Sequence, residues 1–127
     1  MPGARAAKRT LVGAVAALLA IAPAGCGHTA SVGRDRTLRV ALTEYGVLPQ
    51  KVQVSAGELT IIVHNVGKLT HNLVVIHGQD KIDGTPPIWP GTTGQLAVNL
   101  APGSYTIAST LFSDQALGEY GTLTVTS

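Results

Sequence analysis

Ser109, Asp114 and Glu119 follow one another at five-residue intervals in the stretch STLFSDQALGEYG, between two runs that alternate apolar and polar residues. A hydroxyl and two carboxylates are hard oxygen donors. Such a loop can ligate a divalent cation, supply acids for proton transfer, or simply be solvated. Four histidines, His28, His64, His71 and His77, and one cysteine, Cys26, complete the side chains able to do chemistry. A histidine with two carboxylates is a donor set used in metal-assisted hydrolysis. The chain nevertheless has no G-x-S-x-G, no Gly-rich phosphate loop and no HExxH, so the reading is of a protein that is not an enzyme.

The elements that must position these residues are short strands. TLRVALT puts Leu38, Val40 and Leu42 on one face, and KVQVS does the same with Val52 and Val54. ELTIIVHNV is apolar on both faces and reads as a central strand. HNLVVIH, GQLAVNL, SYTIAS and GTLTVT bring the number to seven. Turn signals recur between them, at Leu48-Pro49, Ala56-Gly57, Val66-Gly67, Asp83-Gly84, Pro90-Gly91, Pro102-Gly103 and Gly118. Short alternating strands with Gly/Pro turns and no helical period predict an all-β Greek-key sandwich of seven to eight strands. The segment LFSDQALG has room for one helical turn at most. In LAPGSY, Tyr105 just after Pro102-Gly103 has the pattern of a tyrosine corner, which makes all three residues structural.

At 127 residues the chain is long enough for one domain. Its start reads as something else. Arg5, Lys8 and Arg9 precede the uncharged run LVGAVAALLAIA and the small residues PAGC. A positive head, a short apolar segment and a small-residue cleavage site make residues 1–25 a secretory signal peptide, too short in its apolar part for a membrane-spanning helix. PAGC resembles a bacterial lipobox, with Pro23 where that motif usually has Leu. In the lipobox the Cys thiol receives a diacylglycerol and becomes the new N-terminus. The resemblance implies lipidation of Cys26, an extracytoplasmic location and a membrane anchor, with residues 26–36 as lipidated Cys and tether and residues 37–127 as the domain. Without the leader, six basic side chains face seven acidic ones, a formal charge of −1. No basic patch with interleaved aromatics is present, which gives nucleic-acid binding no support.

The order of motifs in EYGVLPQKVQVSAGELTIIVHNVGKLTHNLVV resembles the N-terminal half of a cupredoxin, the family of plastocyanin and pseudoazurin. V-x-V-x-A-G, an apolar strand ending in Asn-x-Gly and a His-Asn dipeptide follow in the family's order. LAPGSYTIAS and GEYGTLTV resemble its last two strands, so the likeness covers residues 37–126. It implies a type 1 copper site of two His, one Cys thiolate and a weak axial Met. His71 falls on the first His. Ser109 falls on the Cys, Asp114 on the second His, and Glu119 on the Met. The site's frame is kept and three of its four ligands are replaced.

Blue copper depends on a covalent Cu–thiolate bond, and a serine hydroxyl is neither soft nor readily deprotonated. Carboxylates in place of His and Met make the site harder and disfavour Cu(I). Three readings stay open: a remnant without a redox metal, a harder site for Zn²⁺ or Cu²⁺ built on His71 and the carboxylates, and a solvated loop. Parity supports convergence, since Ser109 shares a face with Tyr105 and Ile107, and His71 with Leu73 and Val75. The function expected is a non-enzymatic binding or accessory module of the cell envelope, with an unidentified envelope partner. Copper-binding electron transfer is the alternative. His64, on the opposite parity from Leu59, Ile61 and Val63, is expected to face outward. His77, six residues beyond His71, is too far along a strand to share an ion with it. Trp89, flanked by prolines, is expected to cover the sandwich edge.

Overall fold

The structure is a computed structural model that describes residues 29–111 and 118–127. The expected signal peptide, Cys26, His28 and Asp114 lie outside the described residues. Ten strands are present among those described: β1 (Ala30–Ser31), β2 (Thr37–Thr43), β3 (Gly46–Leu48), β4 (Lys51–Ser55), β5 (Gly57–Asn65), β6 (Val74–His77), β7 (Asp80–Gly84), β8 (Thr93–Leu100), β9 (Gly103–Ala108) and β10 (Tyr120–Thr126). They form a six-stranded sheet in the order β1-β4-β10-β9-β6-β7 and a four-stranded sheet in the order β3-β2-β5-β8.

The period-two pattern decides which residues face inward. Leu38, Val40 and Leu42 of β2, Val52 and Val54 of β4, and Leu59, Ile61 and Val63 of β5 are all buried. Tyr105 and Ile107 of β9 and Leu123 and Val125 of β10, in the same sheet as β4, join Val52 and Val54 in facing the β2 and β5 residues across the core. Each fully buried aliphatic side chain contributes about 1.5–3 kcal/mol against leaving it in water, so this layer dominates the stability. The all-β sandwich and all seven expected strands are present. β5 is central as expected, between β2 and β8, although its outer face is only half-buried at Thr60 and Ile62 and exposed at His64.

Two boundaries differ from the sequence reading. The expected tether is shorter than residues 26–36, because Ala30 and Ser31 pair in parallel with Val52 and Gln53 of β4. Arg36 is also tied to the sandwich, through its guanidinium to Glu58 O (2.9 Å), Ser55 O (2.8 Å) and Ser55 Oγ (2.7 Å). HNLVVIH is strand only from Val74 onward, and His71 instead makes an isolated antiparallel bridge with Ile88.

The tyrosine corner is present. Tyr105 is buried and its hydroxyl donates to Ala101 O at 2.7 Å, closing the turn between β8 and β9.

Candidate functional site

The antiparallel register of β9 and β10 pairs Ala108 with Tyr120. The residues just beyond, Ser109 and Glu119, therefore stand opposite each other, and Ser109 N donates to Glu119 O at 3.2 Å. β6 lies on the other side of β9, with Val74 opposite Ala108. This brings the preceding His71 and Asn72 to the same end of the sandwich. His71, Ser109 and Glu119 are each fully buried. The three side chains converge, as their parity predicts. Asp114 cannot be placed with them, since it lies outside the described residues.

Ser109 is built into a hydrogen-bonded cluster with Asn72. Its Oγ accepts from Asn72 N (3.2 Å) and donates to Asn72 Oδ1 (3.3 Å). The same Oδ1 accepts from Thr110 N at 2.7 Å, and Asn72 Nδ2 donates to Thr110 Oγ1 at 3.1 Å. The hydroxyl thus fixes the end of β9 against the segment that carries His71.

His71 sits between two carboxylates. Its Nδ1 is 3.1 Å from Glu119 Oε2, and its Nε2 is 3.6 Å from Glu44 Oε1. Sequence reasoning missed Glu44. The residue follows β2, and the parallel pairing of β2 with β5, Leu42 opposite Asn65, carries it to the loop that precedes His71. Its Oε1 accepts from Leu69 N (3.0 Å) and from Lys68 N. These two backbone donors, Leu69 the stronger, and the neighbouring His71 hold the Glu44 carboxyl below its ordinary value. Gly67 makes the approach possible: a Cβ there would overlap the Glu44 carboxylate.

Asn65, the Asn of the Asn-x-Gly motif, fastens these loops together. Fully buried, it donates from Nδ2 to Leu69 O (2.8 Å) and Ile88 O (2.9 Å) and accepts from Gly67 N (2.9 Å). Ile88 in turn exchanges both backbone hydrogen bonds with His71, at 3.1 and 2.6 Å. The imidazole is therefore placed by the end of β5 as much as by its own segment.

His64 and His77 lie as their positions predict. His64 is exposed, with Nδ1 2.9 Å from Thr93 Oγ1. His77 is at the far end of β6, its ring against Tyr105 with centroids 4.8 Å apart. Trp89 does not cover the sandwich edge as expected; it is 68% exposed.

A sandwich with this strand order and this cluster at one end has the cupredoxin fold. No family model matches the sequence, and no curated protein matches it either. Among solved structures, it is similar to reduced auracyanin from Roseiflexus castenholzii, with 21% identity, 75% of this chain and 100% of that one covered, and a TM-score of 0.68. Auracyanin A, a blue copper protein from Chloroflexus aurantiacus, is 20% identical over 76% of this chain and 99% of its own, with a TM-score of 0.64. A purple cupredoxin from Nitrosopumilus maritimus is 18% identical, over 70% of this chain and 99% of its own, with a TM-score of 0.55. At these identities the likeness is one of fold.

Among the described residues, His71, Ser109 and Glu119 do not fit a type 1 copper ion. Where the sequence resemblance implies a thiolate, Ser109 offers a hydroxyl engaged with Asn72. Where it implies a thioether, Glu119 offers a carboxylate against the imidazole. Nor do the two acids converge on one point, because Glu44 and Glu119 flank opposite ring nitrogens of His71. Among the described residues, no group of three or more His, Cys, Asp or Glu side chains is arranged to hold an ion.

Proposed function

We propose that the protein is an extracytoplasmic cupredoxin-fold lipoprotein, anchored to the membrane through Cys26, that works as a non-enzymatic binding or accessory module and not as an electron carrier. The observation that carries this reading is Ser109. Its hydroxyl stands where the resemblance requires a thiolate and is part of a polar cluster that ties β9 to the His71 segment. A covalent Cu–thiolate bond is what makes a type 1 centre, and a serine hydroxyl does not supply it. Cys26 does not replace it, being the residue proposed to be acylated.

A second reading, binding of a harder divalent ion such as Zn²⁺ or Cu²⁺, rests on one distance. The 3.1 Å between His71 Nδ1 and Glu119 Oε2 is close to the spacing of two neighbouring ligands on one ion at about 2.0–2.2 Å each. His71 and Glu119 would be two of its ligands, and Asp114, the other loop carboxylate of this reading, lies outside the described residues.

Metal analysis of the full-length lipoprotein, purified without added metal, tests both. The leading reading expects copper far below one equivalent per chain. Stoichiometric zinc would favour the second reading, and stoichiometric copper with reversible one-electron reduction would contradict the first.

A further inference from the structure

The seven exposed large apolar or aromatic side chains of the described residues are not spread evenly. Tyr45, Val66, Leu69, Trp89 and Tyr120 lie on the loops or strand starts at the His71 end, and only Leu48 and Ile82 lie elsewhere. Tyr45 is 73% exposed and Leu69 60%. The opposite end is polar, with Arg34 and Asp35 before β2, Glu58 at the start of β5, and His77 and Asp80 flanking the β6–β7 turn. Exposed apolar surface concentrated in this way marks a contact surface.

The described chain enters the fold from that same end. β1 runs parallel to β4, with Ala30 opposite Val52, and β4 runs parallel to β10, with Val52 opposite Leu123. The N-terminal ends of β1 and β10 therefore point the same way, and Glu119 immediately precedes β10. Only Gly27, His28 and Thr29 separate Cys26 from β1. Four Cα steps span at most about 14 Å. Ala30 is level with Leu123, and the three residues from there up to Tyr120 take about 10 Å of rise. A chain stretched to its limit thus brings Cys26 little beyond the His71 end.

We infer that the aromatic end of the sandwich, over His71, lies on the lipid surface, an inference that rests on the proposed acylation of Cys26. The occupant of the patch is the bilayer interface. Tyr and Trp suit that zone, with apolar rings and a polar tip that reaches water and headgroups. Lys68 within the patch and Lys51 beside the entry of β1, both exposed, would meet anionic headgroups. The acyl chains supply attachment and the aromatic end supplies orientation. The buried His71–Glu119 pair would then face the membrane and not the surrounding medium.

Trp89 is the only tryptophan, so its fluorescence reports on this surface alone. The full-length lipoprotein is reconstituted into vesicles of phosphatidylethanolamine and phosphatidylglycerol and floated on a density gradient, with Cys26→Ala as control. Flotation that Cys26→Ala loses supports the anchor. The orientation is read separately, from a blue shift of Trp89 emission, loss of emission to acyl chains brominated near the headgroup, and reduced quenching by acrylamide. Leu69→Glu should weaken the lipid quenching while flotation persists. Flotation with Trp89 fully open to acrylamide and untouched by bromolipid would overturn the orientation and leave the anchor standing. Protection from acrylamide without bromolipid quenching would assign the patch to a second copy of the chain and overturn it equally. Failure to float would remove the anchor, and the orientation with it.

Discussion

Replacing Asn65 by Ala should loosen the His71 end while leaving the sandwich folded. The substitution removes three hydrogen bonds, to Leu69 O, Ile88 O and Gly67 N. A typical intramolecular hydrogen bond contributes about 0.5–1.5 kcal/mol net, and more when its loss strands a buried group. Ile88 O keeps its bond from His71 N, and Leu69 belongs to an exposed loop that water can reach. The stranded-group penalty is therefore small, and a loss of about 2–3 kcal/mol follows for the three bonds together. With a urea slope of about 2 kcal/mol per molar for a domain of this size, the unfolding midpoint should fall by roughly 1–1.5 M. Far-UV circular dichroism in urea measures it. Asn65→Asp is the sharper variant, because it keeps the acceptor for Gly67 N and turns the donor toward Leu69 O and Ile88 O into another oxygen. It should cost at least as much as Ala. An Asn65→Asp protein as stable as the wild type would refute the account of how the loops around His71 are fastened.

Other outcomes follow from the same geometry. Tyr105→Phe removes the hydroxyl that donates to Ala101 O; because Ala101 is exposed, the urea midpoint should report a loss of about 1–1.5 kcal/mol, and no measurable change would mean that the corner does not hold the β8–β9 crossing. Glu44 has its folded-state carboxyl lowered from an ordinary value of 4.5, so the stability it contributes is present above that pH and is lost as pH falls through the lower folded value. Urea midpoints measured against pH should fall more steeply in that acid window for wild type than for Glu44→Gln, and equal slopes would contradict the assignment. Labelled fatty acid should appear on the wild-type protein and be absent from Cys26→Ala, whereas unmodified mature protein in the culture fluid would argue against acylation.

What was legible in the sequence tracks how much of each element's pattern is local. Seven strands announce themselves because alternate residues such as Val52 and Val54, or Leu123 and Val125, must face one core. β1 and β3 do not, since two or three residues carry no period. β7 does not either, because DKIDG is an exposed edge strand with no buried face to enforce alternation. Its charges and the register shift opposite Val75 and Ile76 are ways an edge avoids pairing with another chain.

Convergence of His71, Ser109 and Glu119 was legible through parity and motif order. Glu44 was not. An acid in a TEYG turn reads as solvated, and its contact with His71 depends on parallel pairing between strands far apart in sequence. Trp89 was misread because flanking prolines fix the backbone of its loop and say nothing about where the ring turns.

The central claim is that this cupredoxin fold holds a polar cluster, not a blue copper centre, at its ligand end. Adding Cu²⁺ to the purified full-length protein and recording its visible absorption tests that most directly. The account predicts no intense blue thiolate charge-transfer band; any Cu²⁺ bound should be pale and should be lost as protons compete for His71 and the carboxylates. Restoring the family's ligands together, as Ser109→Cys, Asp114→His and Glu119→Met, should bring blue colour back if the scaffold still presents the four positions on one side. A folded triple variant without colour would leave only the likeness of fold. A wild-type protein that itself turns blue would contradict the account outright.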